Sequence, residues 1–483
     1  MTLFIPIFLI LLETPSAFPA SNISLATANG AGFPSHADPV APILLVLVLI
    51  ALGAALGGRA MRWVGQPAVL GELLIGMLIA NIGYAFHEPI LTVLREGETI
   101  SQIVAIALQN SLSLPEAVRQ VLPAGDDAAR LAAALAGPMG PAAISVHSFV
   151  DLLSRIAVIV LLFLVGLETD IGEMKKVGWP SFLVAVVGVV VPFFLGMRAM
   201  ALLLPDGTPQ KDIFIGAILT ATSVGITARV FRDLRQTHRA EAKIILGAAV
   251  IDDVLGLLIL AVVSALVATG TISLLSMSWI TLKAVLFLVG SISVGLWLTP
   301  RLVRRIARLK IENLKLLFGL GFAFVLAWLA NLSGLATIIG AFAAGLILEG
   351  FFDKELEGHS LRDLLSPIES LVVPVFFVLM GTQVKLETLA DLKVTLIAVV
   401  LTLAAIAGKL VAGLACSPKL DRLSVGIGMM PRGEVGLIFA GIGKGLGVVS
   451  DAVFSAVVIM VMVTTLLTPP LLKITLARRR PSS

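Results

Sequence analysis

Residues 244–263 read IILGAAVIDDVLGLLILAVV, an apolar run long enough to cross a membrane, with two adjacent carboxylates at its middle. A charge at the centre of a bilayer costs about 2.5–3.5 kcal/mol on insertion scales, so Asp252 and Asp253 indicate a function. Neighbouring side chains on a helix point about 100° apart, so one carboxylate can face a cavity while the other pairs with a partner. The run predicts an ion-binding site within the membrane; a purely structural dyad is the less favoured alternative.

The composition extends this interpretation to the whole chain. Apolar residues make up 58% of the 483 residues and charged residues 14%, against about 25% in soluble domains. Continuous apolar runs of about 18 residues or more predict membrane-spanning helices and not the alternating strands of a barrel. We expect an all-α polytopic membrane protein. The excess of basic residues lies in short loops, where it sets orientation and does not indicate nucleic-acid binding.

Hydropathy predicts about thirteen transmembrane helices, which form two inverted six-helix repeats around a linking seventh helix. The fifth helix contains TATSVGIT at residues 220–227, and the twelfth contains MPRGEVG at residues 430–436. Paired interruptions of this kind indicate discontinuous helices that cross near mid-membrane. The predicted helices are 41–57, 67–84, 152–170, 180–204, 212–231, 243–268, 280–300, 315–331, 334–350, 367–383, 394–415, 424–446 and 452–475.

The ends of the chain are assigned by polarity and by basic residues. Residues 1–40 form a leader and an extracytoplasmic tail, and the sequence leaves open whether the leader is a cleaved signal peptide. Residues 41–475 form the transmembrane domain. Lysine and arginine concentrate in alternate loops, which places the N-terminus outside the cell membrane and the basic tail, residues 476–483, in the cytoplasm.

A candidate ion site combines charges and oxygen donors from several predicted helices. Lys409 lies deep within the eleventh helix, where an ammonium needs a carboxylate, and we favour Asp252 as its partner, with Asp253 left for the ion. The alternative is that Lys409 extends to the inner surface. Hard cations such as Na+ prefer oxygen ligands. Hydroxyl and freed carbonyl oxygens at the break in the fifth helix would supply them, at Thr220, Thr222 and Ser223.

Arg432 and Glu434 lie at the break in the twelfth helix. Opposite charges two residues apart diverge on a regular helix, but an unwound segment can direct them to shared partners. We favour a charge pair that holds the crossed helices and keep direct ligation of the ion as an alternative. The sequence contains no Walker A motif and no His/Cys spacing typical of a transition-metal site, so we expect no cofactor.

Seven motifs resemble the monovalent cation:proton antiporter-2 family and its NapA-type Na+/H+ antiporters, over roughly residues 40–475. One departure from the family pattern is residues 86–150, a long, polar, extracytoplasmic insertion for which we expect surface helices at 101–109 and 127–136. The motifs are GQPAVLGEL (65–73), LLFLVGLETD (161–170), TATSVGITA (220–228), IDDV (251–254), GAFAAG (340–345), PVFF (374–377) and PRGEVGLI (431–438).

The resemblance implies the Na+/H+ antiporter fold, with a dimerisation domain, hence a homodimer, and a core domain that moves like an elevator. It implies that Asp253 carries the ion or proton and that Asp252 pairs with Lys409, while Thr222 and Ser223 lie at the crossover. We expect a secondary antiporter and not an enzyme. It exchanges a monovalent cation, foremost Na+, for protons by alternating access, electrogenically, in pH homeostasis. K+/H+ exchange is the alternative; a gated cation channel or a non-transporting scaffold is less favoured.

Overall fold

A computed structural model describes residues 40–122, 125–168, 178–205, 207–223, 227, 231, 236, 239–269, 274–307, 314–349 and 360–478. Regular structure within these ranges is helical throughout. The helices are α1 Ala41–Trp63, α2 Ala68–Ala85, α3 Pro89–Glu96, α4 Glu98–Asn110, α5 Leu114–Val121, α6 Asp126–Ala136, α7 Gly140–Glu168, α8 Gly178–Leu203, α9 Pro209–Ile218, α10 Ala240–Thr269, α11 Leu274–Ala307, α12 Leu314–Leu332, α13 Thr337–Leu348, α14 Leu361–Thr382, α15 Leu392–Ala412, α16 Arg422–Gly428, α17 Glu434–Gly445 and α18 Asp451–Arg478, with 3₁₀ turns at Leu386–Ala390 and Gly413–Ala415.

The helices confirm the predicted fold class. Among the described residues, ten helices are long and apolar enough to cross a membrane. The predicted count of thirteen is not confirmed, because the ninth predicted helix corresponds to the short α13 and the fifth and twelfth are interrupted. The predicted leader, apart from Val40, and the last residues of the basic tail, 479–483, lie outside the described ranges.

The chain divides into two compact units, of which the first comprises Met1–Ala157 and Leu371–Glu387. Helices α1 and α2 pack at Gly57 and Gly71, where a methyl group on either glycine would overlap the backbone of the other helix. Small residues allow such close approach between membrane helices. The turn between the two helices contains Gly65, whose φ of 75° suits a residue without a Cβ.

The segment 86–150 is more ordered than a polar connection. The expected helices at 101–109 and 127–136 correspond to α4 and α6, and α3, α5 and the first part of α7 are additional. Within α4 and α6, Ile103 and Leu131 are fully buried. Apolar side chains at helical spacing therefore build part of the core of the first unit from a segment that hydropathy alone classes as polar.

The second unit comprises Val158–Ser370 and Thr388–Ser483. Helix α8 packs along both α15 and α10, and α15 packs along α18. At the contact between α8 and α15, a Cβ on Gly408 would meet Pro192. The core between these helices and α16 is apolar and includes Val184, Ala185, Ile245, Ala248, Val425 and Leu472. This packing brings the helix that carries Asp252 and Asp253 near the helix that carries Lys409.

Candidate functional site

The candidate site lies where two interrupted helical segments meet in the second unit. Helix α9 ends at Ile218 and is followed by non-helical backbone at 221–223. Helix α16 ends at Gly428, and α17 begins only at Glu434, after non-helical backbone at 431–433. The predicted interruptions are therefore present in both segments.

Hydrogen bonds join the two interrupted segments directly. The backbone N–H of Ser223 donates to the carbonyl of Pro431 at 2.9 Å. The hydroxyl of Thr227 donates to the carbonyl of Gly428 at 2.6 Å, although the two residues are separated by 201 positions in the chain. Because unwound backbone has lost its helical partners, these bonds satisfy groups that would otherwise be left unpaired in a membrane.

Lys409 and Asp252 form a buried ion pair beside this crossing. The ammonium nitrogen of Lys409 lies 3.0 Å from Oδ1 of Asp252, and the two side chains are 0% and 1% exposed. Gly188 of α8 lies beside this lysine, where an added Cβ would make an ordinary contact 3.5 Å from the lysine nitrogen. The structure thus places Lys409 and Asp252, the predicted pair, in contact inside the protein.

Oxygen atoms without a hydrogen-bond partner lie in the same region. Oδ2 of Asp252 and the hydroxyl oxygen of Thr222 are buried, and neither has a hydrogen-bond partner among the described residues. Asp253 is half-buried on α10. The hydroxyl of Thr220 donates to its own helix, at the carbonyl of Ala217, over 2.8 Å. Buried, unpaired oxygens are costly and indicate groups that bind something else, as a hard cation would require.

Arg432 is fully buried in the second interrupted segment. Its Nη1 donates to the carbonyl of Ala221 in the first interrupted segment, whereas Nε and Nη2 have no hydrogen-bond partner within the described ranges. The carboxyl end of α9 carries partial negative charge, which the guanidinium offsets where it bonds to the carbonyl of Ala221. The backbone of Glu434 begins α17, but its side chain lies outside what the structure describes, so its predicted pairing with Arg432 stays a prediction.

The sequence analysis missed Thr465 of α18. Its hydroxyl donates to the main-chain carbonyl of Arg432, and the residue is 2% exposed. A signal for it exists in the sequence, because TTLLT at residues 464–468 places hydroxyls inside an otherwise apolar run. Isolated threonines in membrane helices usually bond to their own helix, so this signal alone does not identify a contact with the crossing.

Comparisons with known proteins agree with this architecture. A family model described as "Sodium/hydrogen exchanger, transmembrane" matches residues 128–478. The high-affinity Na+/H+ antiporter NhaS3 of Synechocystis is 38% identical, over 90% of each chain. The Na+/H+-K+ antiporter GerN of Bacillus cereus is 32% identical, over 89% of this chain and 95% of its own length. The solved sodium proton antiporter MjNhaP1 from Methanocaldococcus jannaschii matches with a TM-score of 0.59 at 16% identity, over 91% of this chain and 99% of its own.

Proposed function

The chain belongs to the sodium/hydrogen exchanger family, and we infer that it is a secondary antiporter that exchanges Na+ for protons across a membrane. The observation that carries this inference is the buried Lys409–Asp252 pair beside a crossing of two interrupted helices. Mid-membrane charges are costly unless they take part in transport or proton relay. The family is one of transporters and not of enzymes.

We propose that Asp253 carries the transported ion. A carboxylate that accepts either a proton or a cation, but not both, couples two opposed fluxes by competition. Pairing with Lys409 occupies Asp252, and we assign the loading and unloading of the ion to Asp253. The hydroxyl of Thr222 has no hydrogen-bond partner among the described residues, and it lies with the oxygens of Ser223 and Thr220 on the first interrupted segment, where they would complete an oxygen shell. Arg432, and with it Glu434, would hold the crossing.

The choice of cation rests on the relatives. NhaS3 is named a Na+/H+ antiporter, which favours Na+. GerN is named a Na+/H+-K+ antiporter, so K+ is the second candidate for this chain. A gated cation channel would pass ions without coupling, and no relative reported above is named a channel.

We further propose that the protein is a homodimer in the cell membrane and that exchange is electrogenic. Its N-terminus would face outside and its C-terminus the cytoplasm, since the basic residues concentrate in alternate loops. Cross-linking in intact membranes tests the dimer, and protease access to tags placed at each terminus tests the orientation. Exchange that responds to an imposed membrane potential would support electrogenicity; indifference to the potential would contradict it.

The exchange itself is tested with purified protein in liposomes that contain a dye reporting an imposed pH gradient. We expect proton movement on addition of NaCl, less on addition of KCl, and none with choline chloride. Asp253→Asn should abolish the response. Absence of cation-dependent proton movement across the neutral and alkaline range would overturn the proposal, and retained exchange in Asp253→Asn would overturn the assignment of that residue.

A further inference from the structure

The main-chain carbonyl of Arg432 is held by a residue from another helix. Arg432 lies in the non-helical segment between α16 and α17, so the regular bonding of a helix does not satisfy its carbonyl. The hydroxyl of Thr465 donates to that carbonyl from α18, and both residues are buried. Non-helical backbone inside a membrane protein needs partners from elsewhere in the protein, and this contact is one that holds the segment.

Neighbouring threonines on α18 behave differently. The hydroxyl of Thr464 donates to the carbonyl of Met460 at 2.8 Å, and that of Thr468 donates to the carbonyl of Thr464 at 2.8 Å. Both are bonds within the helix, the common behaviour of threonine in membrane helices. The bond from Thr465 instead leaves the helix and reaches the crossing. The three threonines of α18 therefore differ in whether the hydroxyl bonds within its own helix or to another segment.

Arg432 also contacts the first interrupted segment, which carries the candidate ion ligands. Arg432 accepts from Thr465 through its carbonyl and donates through its guanidinium to the carbonyl of Ala221. Ala221 precedes Thr222, whose buried hydroxyl has no hydrogen-bond partner within the described ranges. A displacement of the Arg432 backbone would therefore move the guanidinium and shift the segment that presents Thr222.

We propose that Thr465 is a positioning residue for cation binding. It acts through Arg432, and it holds the two interrupted segments in the register that places Thr222 at the site. The proposal rests on the proposed function, because its readout is cation-coupled proton movement. It assigns a role in transport to α18, where the sequence analysis identifies no site residue.

The test compares threonine-to-valine substitutions, which remove a hydroxyl and nearly conserve volume. Thr465→Val should raise the Na+ concentration that gives half-maximal proton movement several-fold, up to about tenfold, equivalent to about 1.4 kcal/mol. Thr464→Val and Thr468→Val, the matched controls, should stay within about twofold of wild type, since their bonds lie within α18. Thr465→Ser, which keeps the hydroxyl, should restore the wild-type half-saturating concentration.

Three results would overturn the proposal: a wild-type half-saturating concentration in Thr465→Val, whatever its maximal rate; an equal effect in either control variant; or a raised half-saturating concentration in Thr465→Ser. If Thr465→Val does not fold, Thr465→Ser and Thr465→Ala replace it, and equal half-saturation in these two would also overturn it. Absence of exchange in the wild-type protein would instead refute the proposed function, so the two failures are distinguishable.

Discussion

Replacing Lys409 with glutamine isolates the energetic role of the buried ion pair. The two charges lie 3.0 Å apart with side chains 0% and 1% exposed. At an effective dielectric constant of about 20, that separation corresponds to an attraction of about 5–6 kcal/mol. Desolvation of both groups opposes it, so the net value of the pair is smaller. Lys409→Gln leaves the carboxylate of Asp252 buried without its cation, and we expect a loss of about 3–5 kcal/mol in the free energy of unfolding.

The measurement is a double-mutant cycle in detergent micelles, with the free energy of unfolding obtained from denaturant titration. Asp252→Asn should also destabilise the protein, because it leaves the ammonium of Lys409 unpaired. The double variant should lose much less than the sum of the two single losses, since it leaves neither charge behind. Additive losses within about 0.5 kcal/mol would refute the argument, because they would mean that the two charges do not interact.

The ion pair of Lys444 and Asp451 provides a control for the cycle. These charges lie 2.9 Å apart, but the aspartate side chain is 26% exposed. Water therefore screens this pair more than the pair of Lys409, and Lys444→Gln should cost about 1 kcal/mol or less. An equal cost at both sites would show that general loss of a lysine, and not burial of its partner, controls the outcome.

Further predictions concern the first unit and the cysteine. Glu96→Gln should lower the free energy of unfolding by about 3–5 kcal/mol, since it removes the carboxylate that lies 2.9 Å from the buried ammonium of Lys385. A second change, Lys385→Met, should recover part of that loss in denaturant titration. Gly71→Leu should sharply reduce the amount of folded protein seen by size-exclusion chromatography, because the side chain would overlap the backbone at Gly57; unaltered yield would contradict the close packing. Burial raises the pKa of the Cys416 thiol, so less thiolate is present at neutral pH. Maleimide should therefore label Cys416 slowly at neutral pH and faster at higher pH or after unfolding. Rapid labelling of the folded protein at neutral pH would contradict this.

Hydropathy predicted most of the helices, because a membrane helix must be both long and apolar. It placed the start of α7 too late. The helix begins at Gly140, whereas the prediction began at residue 152, since the first turns carry polar residues such as His147 and Asp151. Hydropathy measures the cost of placing polar groups in a membrane. It does not detect the backbone hydrogen bonds that continue a helix beyond its apolar region. Helix ends are therefore less predictable than helix centres.

The contact between Lys409 and Asp252 could be anticipated because unpaired charges are costly inside a membrane, so a lysine and an aspartate deep in predicted spans need each other. The contact of Thr465 with Arg432 could not. A threonine hydroxyl can bond to a carbonyl of its own helix, so burying it in a membrane does not require a partner from a distant part of the chain. The ion pairs of Arg95 with Glu387 and Glu96 with Lys385 were missed for a related reason. A polar segment such as 86–150 predicts charges that are exposed to solvent, and the sequence alone does not reveal their buried partners.

Separate roles for the two neighbouring aspartates would couple the two fluxes through a single carboxylate. In the proposed function, Asp252 stays paired with Lys409 and Asp253 exchanges a proton for a cation. Asp253→Asn must then abolish Na+ uptake and Na+-dependent proton release together, because both use one group. In a channel, the carboxylate would only attract cations. Its removal would weaken Na+ flux, and proton movement would not change because a channel does not couple the two. Parallel measurements of ²²Na+ uptake and dye response in the same liposomes distinguish these cases, and persistent Na+ flux without proton coupling would favour a channel over an antiporter.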